Sequence, residues 1–177
     1  MDFDKLGFQW YADLNGWEET YSKVKNTVRI KPPGEWIEIN ATLRSPAIIW
    51  TESHYAAELR FESTEDAIEN YENTVNTSVV PITIEVVSMA RGALEEESLR
   101  FVLSTESGQR WEGTFLAEPL MEASLFGAKV YMRAFHVEFD TTEIPLDWSA
   151  TSTSTLHVIR QDKLERADVV WDFGPLP

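Results

Sequence analysis

Alternation between apolar and polar residues runs through most of the chain and predicts β-strands. Val24, Asn26, Val28 and Ile30 share one face of the segment from residue 24 to 31, and its basic residues share the other. That two-residue period is typical of a strand with one solvated face. The Pro32-Pro33-Gly34 sequence then predicts a turn. The same period recurs in residues 36–43, 54–61, 82–89, 99–103, 111–117, 129–140, 156–160 and 167–173.

Two of these segments make specific predictions about the core. In residues 54–61, the period assigns Tyr55, Ala57, Leu59 and Phe61 to one face. Residues 99–117 contain the strongest hairpin signal, two alternating runs separated by Ser107-Gly108.

Only one segment is predicted to be helical. Ser63-Thr64-Glu65-Asp66 resembles a helix-capping sequence, and Ala67, Ile68, Tyr71 and Val75 follow at helical spacing. About nine strands and one short helix predict an all-β fold, an antiparallel β-sandwich of jelly-roll-like or tail-tube-like form. Residues 23–177 are predicted to form this single domain, whereas residues 1–22 form an aromatic segment that packs on its own domain or docks on a neighbour.

The charge of the chain restricts its partners. The 177 residues carry 30 acidic and 15 basic side chains, a net charge of −15. Such a surface repels nucleic acid and anionic membranes, so we predict protein partners, no sequence-specific nucleic-acid binding and no membrane binding. Cysteine is absent, and the sequence contains neither a signal-peptide pattern nor an apolar run long enough to span a bilayer. A soluble protein made in the cytoplasm is expected.

The sequence shows no motif for catalysis. None of the three histidines, His54, His136 and His157, lies beside a serine in a nucleophile-elbow pattern. A triad assembled from distant residues stays open, but the prediction is a protein without enzymatic activity or cofactor. The one weak metal candidate is His136, Glu138 and Asp140, which share one face of a strand. Their side chains are spaced nearly 7 Å apart, at about 3.3 Å per residue, which is wide for one small ion.

Basic and aromatic residues indicate surfaces for contact. Lys23, Lys25, Arg29 and Lys31 form a basic stripe, which either protects a sheet edge or meets the acidic surface of another subunit. The aromatic residues of the two termini are further docking candidates: Phe3, Phe8, Trp10, Trp17, Trp171 and Phe173. Trp36, with Glu38 and Asn40, is a candidate carbohydrate platform, although Trp36 is also suited to packing under the N-terminal segment or a loop.

Residues 98–103 and 107–115, followed by the long strand 129–140, resemble in style the hairpins of phage tail-tube and other virion β-sandwich proteins. This resemblance covers about a quarter of the chain and implies a non-enzymatic subunit that forms rings or shells. We therefore expect a structural subunit of a homomeric or virion assembly, a homo-oligomer. The alternative is a lectin-like β-sandwich that binds carbohydrate through exposed aromatic residues.

Overall fold

The computed structural model describes residues 25–30, 37–44, 46–74, 78–125, 127–147 and 151–172. The strands are β1 (Lys25–Ile30), β2 (Ile37–Leu43), β3 (Val79–Ser88), β4 (Leu99–Thr105), β5 (Arg110–Ala117), β6 (Met121–Leu125), β7 (Ala128–Asp140), β8 (Thr153–Arg160) and β9 (Glu165–Asp172). The helices are α1 (Pro46–Arg60) and α2 (Thr64–Thr74), and two short 3₁₀ turns, Arg91–Leu94 and Glu96–Ser98, lie between β3 and β4.

The nine strands form one antiparallel sheet in the order β1-β2-β3-β7-β5-β4-β8-β9, with β6 paired to β7 beside this path. The 13-residue strand β7 is long enough to pair with β3 along one edge and with both β5 and β6 along the other. Strand β1 comes close to β9, so the sheet nearly closes on itself. The prediction of a mostly antiparallel β protein is confirmed.

Alternation along the strands builds the core inside this sheet. In β3, for example, Val80, Ile82, Ile84 and Val86 are buried while the residues between them face outward. Three aromatic rings join neighbouring strands, because Phe101 of β4 lies 5.1 Å from Phe115 of β5 and 5.6 Å from Phe135 of β7, between ring centroids. Burial of these residues supplies the main driving force for folding.

The predicted strand at residues 54–61 is wrong, because residues 54–60 are the C-terminal half of helix α1 and Phe61 lies in the turn that follows it. Among the α1 residues whose burial is described, Ile49, Trp50, Ser53 and Ala57 are buried, and they recur at the spacing of one helical face. Leu59 and Phe61, predicted to be buried, are 62% and 98% exposed. A short apolar run fits both periods, and the strong helix formers of residues 56–59 favour the helix.

The predicted helix after Ser63 is confirmed as α2. Asp66 N–H donates to Ser63 Oγ at 3.2 Å, and Ser63 N–H donates to Asp66 Oδ2 at 2.8 Å. This reciprocal pair satisfies N–H groups that a helix start leaves without partners. Ala67 and Tyr71 are buried, and the Tyr71 ring packs edge-on against Trp50 of α1 at 5.7 Å. The chain therefore has two helices in the described residues where one was predicted.

The predicted β4–β5 hairpin is confirmed, with Gly108 in its turn at a positive φ of 85°. Strand β6 was not predicted, because it is short and its residues 121–124 are exposed. It forms a hairpin with β7 around Gly127, whose φ is 83°. Among the described residues, neither helix has the length and apolar character that crossing a membrane requires.

Candidate functional site

An arginine-lined hollow lies on the outer face of strands β5, β4, β8 and β9. The alternation that buries Phe101 and Leu103 of β4 turns Arg100, Val102 and Ser104 outward. The hollow has a volume of about 410 Å³ and is lined by Arg100, Val102, Arg110, Trp111, Glu112, His157, Ile159 and Arg166. Three of the 15 basic residues of an acidic chain therefore line one concave surface.

The three arginines differ in their partners. Arg100 forms a two-pronged ion pair with Glu112, with Nε–Oε1 and Nη2–Oε2 distances of 2.7 and 2.8 Å. The hydrogen bonds and charge of Arg100 hold the pKa of Glu112 below its usual range. Arg166 Nε lies 2.9 Å from Asp168 Oδ1. Arg110, in contrast, is exposed and forms no side-chain hydrogen bond or ion pair within the residues that the structure describes.

A serine, a histidine and an aspartate form a hydrogen-bonded array beside this hollow. Ser104 Oγ lies 2.8 Å from His157 Nε2, and His157 Nδ1 lies 2.7 Å from Asp168 Oδ1. The side chains of His157 and Asp168 are 17% and 35% exposed. The array lies on three neighbouring strands, and the sheet register places His157 directly opposite both Val102 of β4 and Asp168 of β9.

The array was missed by sequence reasoning. The strand periods place Ser104, His157 and Asp168 on outward faces, but they are separated by 53 and 11 residues along the chain. Only the pairing of β4 with β8 and of β8 with β9 brings them together. Because strand order is set by long-range packing, no local signal could have identified the array.

A second surface feature is the outer row of β7. Its first half is apolar, with Val130, Met132 and Ala134 half-buried, and its second half is exposed, with His136, Glu138 and Asp140. Hydrogen bonds from the side chain and backbone N–H of Thr142 hold the pKa of Asp140 below its usual range. The register extends the apolar half of this row onto the neighbouring strands, because it pairs Met132 with Val87 of β3 on one side and with Met121 of β6 on the other.

The metal candidate on this row does not assemble. His136 of β7 is paired instead with Glu118, the residue that follows β5, with 3.2 Å between His136 Nε2 and Glu118 Oε1. Both side chains are exposed. No group of three or more histidine, cysteine, aspartate or glutamate side chains among the described residues is arranged to hold a metal ion. The outward row of a regular strand spreads its side chains too widely for one ion.

Most of the predicted contact residues lie outside the described part of the chain: Phe3, Phe8, Trp10, Trp17, Lys23, Lys31, Trp36 and Phe173. For Lys25 and Arg29 only the backbone of strand β1 is described. Trp171 is 1% exposed and belongs to the core, so its assignment to a docking surface is wrong. Trp171 lies two residues after the buried Val169 in β9, so the strand's alternation places both side chains in the core.

Glu38 and Asn40, the two described residues of the proposed carbohydrate platform, are hydrogen-bonded to each other. Asn40 Nδ2 donates to Glu38 Oε1 at 3.4 Å, and Thr27 Oγ1 donates to Asn40 Oδ1 at 2.6 Å. Both Glu38 and Asn40 are half-buried on β2. Carbohydrate binding at this position stays a prediction.

No family model and no curated protein matches the chain. Among solved structures, the chain is similar to the crystal structure of a DUF4426 family protein from Pseudomonas aeruginosa PAO1, with 11% sequence identity. That alignment covers 86% of this chain and 98% of the other, at a TM-score of 0.32. A similarity at this level supports no conclusion about fold family or function.

Proposed function

We propose that this protein is a structural subunit of a homomeric assembly of the virion type, in which neighbouring copies meet through oppositely charged parts of the sheet. The observation that carries the proposal is the outer row of β7. It combines an apolar half with an exposed charged half that contains Glu138 and Asp140. An apolar centre beside a charged rim is the usual composition of a protein interface.

The partner surface in this proposal is strand β1 of the next copy. Lys25 and Arg29 lie two residues on either side of Thr27, whose exposed hydroxyl bonds to Asn40 on the outer face of β2. Two strands, β2 and β3, separate β1 from β7 in the sheet. A contact between two different surfaces of identical subunits is heterologous, and repeated contacts of this kind close into rings or extend into filaments.

The acidic side of the contact is supported by neighbours on adjacent strands. Glu85 of β3 and Glu118, which follows β5, are exposed on the same outer face as Glu138. We take the nearly closed sheet as a flattened, two-layered sandwich, whose outer layers are free for such contacts. Complementary charge across an interface sets orientation and the rate of encounter more than the final affinity.

The test is the state of association of the full chain, measured by sedimentation velocity over a range of protein concentrations. The double variant Lys25→Glu/Arg29→Glu is expected to lose association, and Glu138→Lys/Asp140→Lys is expected to lose it as well. Because each variant retains the surface that the other has reversed, an equimolar mixture of the two is expected to associate again.

Arg60→Glu/Arg91→Glu is the matched control for the β1 variant, since it changes the net charge equally at exposed positions outside β1 and β7. A monomer at all concentrations would refute the proposal. An equal loss of association in the control, or a mixture that fails to associate, would show that overall charge and not these two surfaces controls the behaviour.

A further inference from the structure

We propose that Ser104, His157 and Asp168 form a nucleophilic catalytic site that hydrolyses small esters carrying a negatively charged group. This activity is independent of the assembly function, because it uses β4, β5, β8 and β9 and not β1 or β7. The three residues lie on the outer face beside the arginine-lined hollow, so an incoming molecule reaches them without a change in the core.

The hydrogen bonds determine the role of each group. An ionised carboxylate can only accept hydrogen bonds, so His157 Nδ1 carries the proton that is donated to Asp168. His157 Nε2 is then an acceptor, and the Ser104 hydroxyl donates to it over 2.8 Å. A base that is hydrogen-bonded to a serine hydroxyl and oriented by a carboxylate is the arrangement that activates a serine nucleophile.

The sheet holds this arrangement in place. Ser104 is paired with Arg110 on one side and with Thr155 on the other, while His157 is paired with Asp168. Asp168 is further restrained by Arg166, whose Nε lies 2.9 Å from the same oxygen that accepts from His157. Side chains that are fixed by regular strands lose little further entropy when the reaction begins.

The donor for the oxyanion has to be a side chain. Strand β4 is paired on both sides at Ser104, so its backbone N–H groups there point within the sheet and toward neighbouring strands. Arg110 lies directly opposite Ser104 on β5, and residues opposed in this way have Cβ atoms about 4.5–5.5 Å apart. Its guanidinium, which has no partner within the described residues, carries the N–H groups that a developing oxyanion needs.

The hollow indicates the class of substrate. Val102 and Ile159 supply apolar surface. Glu112 offsets the charge of Arg100 and Asp168 offsets that of Arg166, whereas no carboxylate among the described residues offsets the charge of Arg110. A volume of about 410 Å³ suits a small molecule. An ester whose acyl part ends in a carboxylate or phosphate would compete with Glu112 for the exposed Arg100 guanidinium, while its carbonyl carbon lies near Ser104 and its carbonyl oxygen near Arg110.

The reaction follows from these positions. Ser104 Oγ bonds to the carbonyl carbon while His157 Nε2 takes the hydroxyl proton, and the carbonyl electron pair moves to the oxygen that Arg110 holds. When this intermediate collapses, the ester C–O bond breaks and His157 returns the proton to the departing alcohol. Water then adds to the acyl-serine by the same steps, which releases the acid and restores Ser104. The sum is ester plus water giving acid plus alcohol.

The first experiment labels the full chain with a fluorophosphonate, a reagent that phosphonylates activated serines, and maps the adduct by mass spectrometry. We expect a single adduct on Ser104, which Ser104→Ala abolishes. His157→Gln and Asp168→Asn are expected to slow labelling by about 100-fold or more. Ser124→Ala, at an exposed serine of β6, is the control and should label as the wild type does.

A readout that a purely structural role would not change is the pH profile. The pH profile of labelling should differ between the wild type and His157→Gln, because only the wild type has a base hydrogen-bonded to the Ser104 hydroxyl. Hydrolysis of mono-p-nitrophenyl succinate should exceed that of p-nitrophenyl acetate by roughly tenfold in kcat/KM, and Arg110→Gln should lower both rates.

Three results would overturn the proposal. They are no adduct and no ester hydrolysis by the wild type, an adduct mapped to another residue, or labelling that persists in Ser104→Ala. Mapping on the wild-type chain does not depend on the folding of any variant. Circular dichroism and thermal melting show whether Ser104→Ala and Asp168→Asn keep the fold.

Discussion

At the scale of single residues, Gly113 shows how closely the core is packed. A Cβ atom at this inward position of β5 would lie 2.5 Å from Val137 Cγ1 and 2.8 Å from Phe139 Cε1. Both neighbours are buried and have stiff side chains, so neither can move aside easily. Glycine at this position is therefore explained by the space between β5 and β7.

Gly113→Ala is accordingly expected to lower the free energy of unfolding by about 1–3 kcal/mol, the usual cost of overpacking a core. Urea denaturation followed by tryptophan fluorescence measures the change. Gly92→Ala is the matched control, because its added Cβ would meet no atom within 4 Å. An unchanged stability of Gly113→Ala would mean that β5 and β7 can separate more easily than the structure indicates.

Phe61 has a backbone conformation that a residue with a large side chain rarely adopts. It follows α1 with a φ of 58°, and two hydrogen bonds close the helix, from Phe61 N–H to Glu58 O and from Glu62 N–H to Ala57 O. This is the Schellman motif, in which glycine is preferred at the left-handed position. The side chain is 98% exposed, so it contributes almost no burial in return.

We therefore expect Phe61→Gly to raise the free energy of unfolding by about 1 kcal/mol, since a side chain in the left-handed region costs this much. Thermal melting measures the gain. Leu59→Gly, two residues earlier and inside the helix, should have the opposite effect and lower stability by about 1 kcal/mol. If both variants were destabilised equally, the left-handed conformation at Phe61 would not be strained.

At the scale of elements, Glu106 links the β4–β5 turn to the start of β8. Its carboxylate accepts hydrogen bonds from Ser152 N–H at 2.6 Å, Thr153 N–H at 3.1 Å and Ser152 Oγ at 3.1 Å. These hydrogen bonds hold the pKa of Glu106 below its ordinary value of 4.5, and the bond from the Ser152 N–H has the largest effect. The connection fixes the hairpin against the strand that contributes His157.

The pH dependence follows from the direction of this shift. A group whose pKa is lower in the folded state stabilises the fold above the unfolded pKa and loses this effect as pH falls through the folded pKa. Glu106→Gln should therefore be less stable than the wild type near pH 7, and the difference should shrink in acid below about pH 4.5. Urea denaturation at a series of pH values measures it.

Glu97→Gln removes the same charge from an exposed position in the 3₁₀ turn Glu96–Ser98 and serves as the control. It should leave stability near pH 7 within about 0.5 kcal/mol of the wild type, as surface substitutions usually do. A difference between Glu106→Gln and the wild type that stays constant down to about pH 3 would contradict the proposed hydrogen bonds.

At the scale of the whole molecule, the net charge of −15 opposes the assembly that we propose. The repulsion between the net charges of two copies is long-range, whereas the attraction between β1 and β7 acts only between charges in close contact. Salt screens charges beyond about 8–10 Å at physiological ionic strength. In the sedimentation experiment, association should therefore increase from low to moderate salt and weaken again at high salt, when the contact itself is screened.

Much of the fold follows from local patterns in the sequence. The two-residue period predicted the strands whose buried faces contain Ile84, Phe101 and Val137, because an amphipathic strand buries one face whatever its neighbours are. The cap at Ser63 predicted α2 for the same reason, since its hydrogen bonds span three residues. Helix α1 was missed because the apolar residues of 54–61 fit the two-residue period of a strand as well as the spacing of a helix.

The candidate catalytic array and the shape of the sheet depend on contacts between distant parts of the chain. Ser104 and His157 are 53 residues apart, and nothing in their local sequences selects β4 and β8 as neighbours. That choice results from the packing of both strands' buried faces into one core, together with the pairing that brings β1 close to β9. Local period determines which side chains face outward, but only long-range pairing determines which of them meet.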